Sequence, residues 1–358
     1  MIRRLLRSAR VRALLVLAVL VGVGLLLWLH GPDWGTVGHA FTKVRWEWVV
    51  VAIGINLASI IARSVAWKLV IDEAMPEPRP SYGLTFSAFC VGLLANAVLP
   101  GRIGELARVA VINRRLPGPR GATLVGTVFA HRVFDLVPVV GLILYVLATA
   151  KIPAWAYSSL IAVVAVGAAL FVFAVATARH HDRSRRLDGV GAVRRIVAMM
   201  RQGLGVMHRP LPAAAVIAFQ ALGWFCQLFA VYTAMRAFHI YAHLPAAALV
   251  LLVMNVVNVV PLWPGNIGAV QAAIALPLTS YGVAYADGIA FGFGLQAIES
   301  SVGIGIGLVF LAREGLSFAT LRGMPGAAEA ELGSDTPGRR DAADASPSRR
   351  SARGRAPA

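Results

Sequence analysis

The chain has 358 residues, of which 58% are hydrophobic and only 14% charged, with a mean hydropathy of +0.71. An ordinary soluble domain carries roughly 25% charged residues, so the soluble classes are excluded and a polytopic membrane protein is indicated. The formal net charge of +17 invites a nucleic-acid partner, but the arginines sit at the ends of apolar runs and in a tail, where membrane topology and anionic headgroups account for them.

In chain order, Arg3, Arg4, Arg7, Arg10 and Arg12 precede an apolar run over 13–30. No small-x-small cleavage site follows, and the run exits through Trp28-Leu29-His30-Gly31-Pro32, so it reads as an uncleaved first span. A spanning helix needs about 20 mostly apolar residues. Five further runs meet that need: 48–70, 122–149, 154–177, 211–235 and 286–312. Cys90 and Cys226 both fall inside apolar runs and imply neither a disulfide nor a metal framework.

Two more runs, 82–99 and 244–262, are each followed by a Pro-Gly break and a second helical piece, 101–114 and 265–281. The piece 101–114 carries Arg102, Glu105, Arg108 and Arg114, too many charges to cross lipid alone. Both pairs are therefore read as re-entrant hairpins, which are tolerated where irregular backbone is buried in protein or lines a cavity. The second break, Pro264-Gly265-Asn266-Ile267-Gly268, repeats the Pro-Gly-x-Ile-Gly pattern of the first after 164 residues. Interrupted segments in corresponding places of two halves point to a transporter's central site.

Arginine positions supply the topology. The N-terminus, the segment around Arg114, Arg115 and Arg120, the stretch from Arg179 to Arg209, and Arg313 with Arg322 are assigned to the cytoplasm. The opposite loops hold little beyond Lys43, Arg45 and Lys151. This asymmetry lets the first hairpin enter and leave on the cytoplasmic side and the second on the exterior. The expected architecture is all-α: a transmembrane helical bundle of about six full spans and two re-entrant hairpins, arranged as an inverted repeat.

The expected organisation is a basic cytoplasmic N-terminus over 1–12, a membrane domain over 13–315 and a cytoplasmic tail over 316–358. The loop over 179–210 spaces Leu187, Val190, Val193, Val197, Met200, Leu204 and Met207 at helical intervals among arginines. It suits a basic amphipathic helix on an anionic leaflet, or a linker helix packed on the bundle. From Gly323 onward the composition cannot bury enough apolar surface to fold.

Candidate chemistry concentrates at the first break. A helix interrupted at Pro100-Gly101 leaves unpaired N–H groups at the start of the next, a natural anion site. Arg102 and Arg108 add positive charge, Asn96 can bond headgroup oxygens, Gly104 belongs to the turn, and Glu105 shares a face with both arginines. The competing reading is that these charges neutralise one another and pin the hairpin to its neighbours. In the next span His131, Arg132 and Asp135 stand together. Arg132 and Asp135 either pair internally or supply a counter-charge to the hairpin, and His131 reads better as a packing group than a proton relay.

Arg63 shares a helical face with Asn56, Ser59 and Trp67, near enough to the cytoplasmic end to snorkel. Gln220, Trp224 and Gln227 share another face and either line a polar groove or bond across helices. Glu299 sits near the middle of the last span, a place for proton coupling or substrate charge, or for a neutral hydrogen-bonded acid. Pro264, Gly265, Asn266, Gly268 and Gln271 complete the candidate set at the second break.

These residues resemble the membrane region of lysylphosphatidylglycerol synthase/flippase proteins and their stand-alone flippase-like relatives. The matching stretches are Arg63 to Leu69, Asn96 to Arg108, His131 to Asp135 and Pro261 to Gly268, within roughly residues 10 to 315. The family's second break usually carries a further glycine and a glutamate, where this chain has Asn266 and Gln271. No soluble aminoacyl-transferring domain follows residue 315. The resemblance therefore implies lipid handling without lipid aminoacylation: no enzyme, no cofactor, no metal.

The expectation is a lipid translocase of the bacterial inner membrane with both termini cytoplasmic. Its partner is a membrane lipid with an anionic or phosphate-bearing headgroup, not nucleic acid. The alternatives are a non-transporting subunit that binds lipid or a cytoplasmic partner, and a proton-coupled small-solute transporter.

Overall fold

The computed structural model describes residues 33–75, 77–99, 103–117, 121–152, 209–259 and 264–317, with isolated positions between 157 and 172. The expected spans over 13–30 and 154–177, nearly all of the basic loop and the tail, and Pro100, Gly101 and Arg102 lie outside them. Among the described residues the fold is all helical. A short helix, α1 (Trp34–Thr42), precedes α2 (Trp46–Ala74), the pair α3 (Tyr82–Val98) and α4 (Gly104–Asn113), and α5 (Gly121–Thr149). The pattern then recurs as α6 (Pro210–Ala237), the pair α7 (Leu244–Val259) and α8 (Ala269–Thr279), and α9 (Tyr285–Arg313).

Length separates spans from hairpin arms. The helices α2, α5 and α9 have 29 residues each and α6 has 28, about 43 Å of helix against a hydrocarbon core of about 30 Å. The 17 residues of α3 and 10 of α4 give about 26 and 15 Å, so neither arm crosses as α2 does. Prolines set several boundaries. Met75 before Pro76 and Leu99 before Pro100 are extended, with ψ of 133° and 140°, because the proline ring crowds the preceding residue out of helix. Pro210 opens α6, where its missing N–H costs nothing. Ser81 caps α3 by accepting the Leu84 N–H at 3.3 Å.

The arms of the first hairpin, α3 and α4, pack against each other. Glu314, just past α9, accepts from the Ser87 hydroxyl of α3 at 2.8 Å and from Arg115, just past α4, at 3.0 Å. The outer ends of both arms thus lie at one face of the bundle. Between the arms, a Cβ on Gly104 would stand 2.0 Å from the Gly92 carbonyl oxygen, so only paired glycines permit this backbone approach. The second hairpin is tied at its own outer end by the Lys151 N–H, which donates to the Tyr281 hydroxyl at 2.8 Å.

The two halves are inverted about α2 and α6. These helices pack along their length and run antiparallel: Lys43 meets His239, Arg45 meets Ala237, Ser59 meets Gly223 and Glu73 meets Arg209. Ser59 and Gly223 are 164 residues apart, the spacing that separates the two Pro-Gly breaks and the starts of α2 and α6. Equivalent positions therefore touch at Ser59–Gly223, which marks a pseudo-twofold axis through the bundle. The halves also interlock. The arm α3 packs on α9 of the other half, where Gly307 lies against Leu94 and the Cys90 carbonyl, while α4 packs on α5 of its own. By the same rule α7 packs on α5 and α8 on α9.

Candidate functional site

The first hairpin is bound to α5 by charge. Glu105, in the first turn of α4, is ion-paired with Arg108 one turn on and with Arg132 of α5. Arg132 also reaches Asp135 at 3.3 Å. The Arg108 side chain is only 5% exposed. Its guanidinium lies 4.7 Å from the centre of the Trp67 ring and 5.5 Å from that of Phe89, faces that favour a desolvated cation. Trp67 is held in place by donating to Thr127 at 3.2 Å. Arg132, by contrast, is 51% exposed, the accessible cation of an otherwise enclosed network.

The start of the inner helix departs from expectation. The Asn96 amide oxygen accepts the Gly104 N–H at 2.8 Å. The Leu106 and Ala107 N–H groups both bond the Ile103 carbonyl at 3.0 Å. The helix start is thus closed by its own side chain and turn, because a buried N–H without a partner is costly. The expectation of open N–H groups awaiting phosphate fails at these three positions.

The second hairpin has the same plan built from amides. Gly265, Asn266 and Gly268 have φ of 71°, 46° and 92°, left-handed backbone that glycine and, among other residues, asparagine adopt most readily. Asn266 therefore substitutes for a glycine without breaking the turn, and its amide donates to the Val257 carbonyl at 3.1 Å. Gln271 caps α8 by accepting the Gly268 N–H at 2.6 Å. Its amide donates to Gln296 of α9, which in turn donates to the Gly265 carbonyl. The break Pro264–Asn266 lies against α3, so the second elbow meets the first hairpin.

Between the hairpins a polar chain crosses the pseudo-twofold axis. Trp224 donates to Asp135 at 2.9 Å and offers its ring face to Arg63, 4.8 Å from the centroid. Arg63 donates to Gln227 at 2.9 Å, and the Gln227 amide stands 3.5 Å from Glu299. Gly223 makes room for this arginine, since a Cβ there would fall 2.7 Å from Arg63 Cγ. Arg63 is thus an interior residue, not a snorkelling one. His131 faces the Arg63 carbonyl at 3.2 Å and the Gln220 amide at 3.2 Å, a packing role.

Of the residues singled out in the sequence, Asn96, Gly104, Glu105, Arg108, Arg132 and Asp135 form one connected group. Gly265, Asn266, Gly268, Gln271 and, through Gln296, α9 form another. Pro264 opens the 3-10 turn of the second break. Glu299 joins neither group directly and is reached through Gln227. Sequence reasoning undervalued Arg63, Gln227 and Gln296. The 164-residue period was the signal that finds them: it equates Arg63 with Gln227, Arg132 with Gln296 and Asp135 with Glu299.

A family model described as the lysylphosphatidylglycerol synthase TM region matches residues 15–307, a stretch that contains both hairpins and nearly all of the four long helices. The chain belongs to that family and is a multi-pass membrane protein. A UPF0104 membrane protein of Methanothermobacter thermautotrophicus is 21% identical over 299 residues, covering 76% of this chain and 86% of that one. No solved structure matches.

Proposed function

We propose that this member of the lysylphosphatidylglycerol synthase TM-region family is a lipid translocase. A phosphate-bearing headgroup is taken up beside the first hairpin while its acyl chains stay in lipid. Arg132 is the primary ligand, Arg102 and Arg108 complete the positive field, and Glu105 with Asp135 hold Arg132 in place. The second hairpin, with Gln271 and Gln296, forms the neutral wall. Rocking of the inverted halves about the Ser59–Gly223 contact supplies alternating access. The protein acts in a bacterial inner membrane with both termini cytoplasmic.

The observation that carries this reading is Arg132, a half-exposed guanidinium midway along a spanning helix whose two partners are more enclosed than it is. A charge costly to place in a membrane and left accessible is one that meets a ligand. In proteoliposomes, Arg132→Ala should slow fluorescent phospholipid flipping by about tenfold to a hundredfold, the loss of one charged hydrogen bond. Flipping at the wild-type rate by a monodisperse Arg132→Ala protein refutes the site.

A further inference from the structure

Among the described residues six charged side chains, with the His131 imidazole beside them, meet around the hairpins and the chain that joins them. Three are arginines (Arg63, Arg108, Arg132) and three are acids (Glu105, Asp135, Glu299). With His131 neutral these six charges cancel, so they offer a phosphodiester little electrostatic gain beyond Arg102. The acids are not equivalent. Glu105 is paired with two arginines, and Asp135 has both Arg132 and the Trp224 N–H. Glu299 has only the Gln227 amide, at 3.5 Å, between itself and Arg63.

The elements packed on α9 bring little else. Arms α3 and α8 contain no Asp, Glu, Lys, Arg or His. The histidine of α1 (His39) and the arginine of α6 (Arg236) lie in last turns. The remaining charged groups of α2 lie in its end turns, apart from Lys68, which is paired with Asp72. Among the described residues the charged group linked to Glu299 is Arg63, through the Gln227 amide. Glu299 is partly buried, neither sealed nor open.

We propose that Glu299 is the proton-binding group of the transport cycle, and that its protonation switches the central charge group to a state that accepts one anionic phosphodiester headgroup. The proposal rests on the lipid-translocase reading and adds its coupling ion. Glu299 takes a proton from water on one side of the membrane as its carboxylate becomes a carboxylic acid. Arg63 then lacks a counter-charge on that side, and the central group carries one net positive charge, which the lipid phosphate balances. Release of the lipid to the other leaflet restores the pull of Arg63 on the carboxylate, and the proton leaves to water there. One proton and one anionic lipid move in the same direction, and each raises the affinity for the other by the same factor. Gln227 is the positioning residue between the two, because its amide can accept from Arg63 while donating to the ionised acid.

The test uses the full-length protein in vesicles of phosphatidylcholine and phosphatidylglycerol, with fluorescent phosphatidylglycerol and an imposed pH difference. One pH unit across the membrane should bias the labelled lipid about tenfold toward the alkaline leaflet, the free energy of one coupled proton. Glu299→Gln should lose that bias, and Glu299→Asp should retain it. Infrared difference spectra, recorded without any transport, should show a protonated-carboxyl component growing on acidification in the wild type that is lost from the spectrum of Glu299→Gln. In Arg63→Gln the same component should titrate at higher pH, since removal of the cation favours the neutral acid. A bias that survives in Glu299→Gln, or that carboxyl component if it survives there, overturns the proposal. Should no vesicle flip lipid, the translocase reading fails by itself, and the infrared titration still decides whether Glu299 binds the proton.

Discussion

The two hairpins solve one structural problem with different chemistry. Each carries a Pro-Gly pair in sequence between its arms and closes its inner helix with a carboxamide. Asn96 does this for Gly104, and Gln271 for Gly268. Each is docked by the same position of the last long helix of its own half: Arg132 onto Glu105 in the first, Gln296 onto Gln271 and Gly265 in the second. Positions 105 and 108 have Ala269 and Ala272 as their counterparts in the repeat. The second hairpin is therefore an internal control. A hairpin of this shape is docked by amides in the second half and by ion pairs in the first, so charge is one of two ways to dock it.

The strongest way to break this comparison is to remove the shared acid. Glu105→Ala leaves Arg108 and Arg132 without their common partner and should destabilise the protein by about 3–5 kcal/mol, read as a shifted unfolding midpoint in detergent. Adding Arg108→Met and Arg132→Gln should restore most of that stability while lipid flipping stays lost. A triple variant that still flips lipid contradicts the reading of the first hairpin. A single variant that loses no stability contradicts the ion-pair account.

Backbone approach comes next. Gly104→Ala places a methyl group against the Gly92 carbonyl and should cost about 1–3 kcal/mol through overpacking. Gly305→Ala, whose Cβ would meet nothing within 4 Å, should leave the unfolding midpoint nearly unchanged. Equal effects at the two glycines remove the claim that the arms need that contact. The smallest effect belongs to the cap. Asn96→Ala should lose about 1 kcal/mol, as at other helix starts, and Asn96→Asp should recover it. A loss of flipping in Asn96→Ala far beyond its loss of stability gives Asn96 a ligand role that its present hydrogen bond leaves unfilled.

Much of this was legible in the sequence. The expected runs over 48–70, 122–149, 211–235 and 286–312 became Trp46–Ala74, Gly121–Thr149, Pro210–Ala237 and Tyr285–Arg313. The helices overrun the apolar segments because a helix continues into water wherever its ends are tied, as Lys68 with Asp72 and Arg209 with Glu73 show. Two spans and the first elbow itself lie outside the described residues, so their part of the expected fold stands on sequence. The site was less legible. The sequence offers Arg132 and Asp135 as an internal pair or as a counter-charge to the hairpin, and Arg132 makes both contacts. It offers Gln227 only as part of a polar face, since an uncharged amide carries no signal until its partner is known.

The sequence by itself determined what is local. Apolar length fixed the spans, proline fixed their ends, and the glycine-rich breaks fixed the bends, because each depends on neighbours a turn or less away. Only the tertiary structure decided the partners. Arg63 meets Gln227 at a separation of 164 residues, and Arg132 meets Glu105 at 27. Which side chain faces which across two packed helices depends on their rotation and tilt, and these are set by the whole bundle, not by any segment alone.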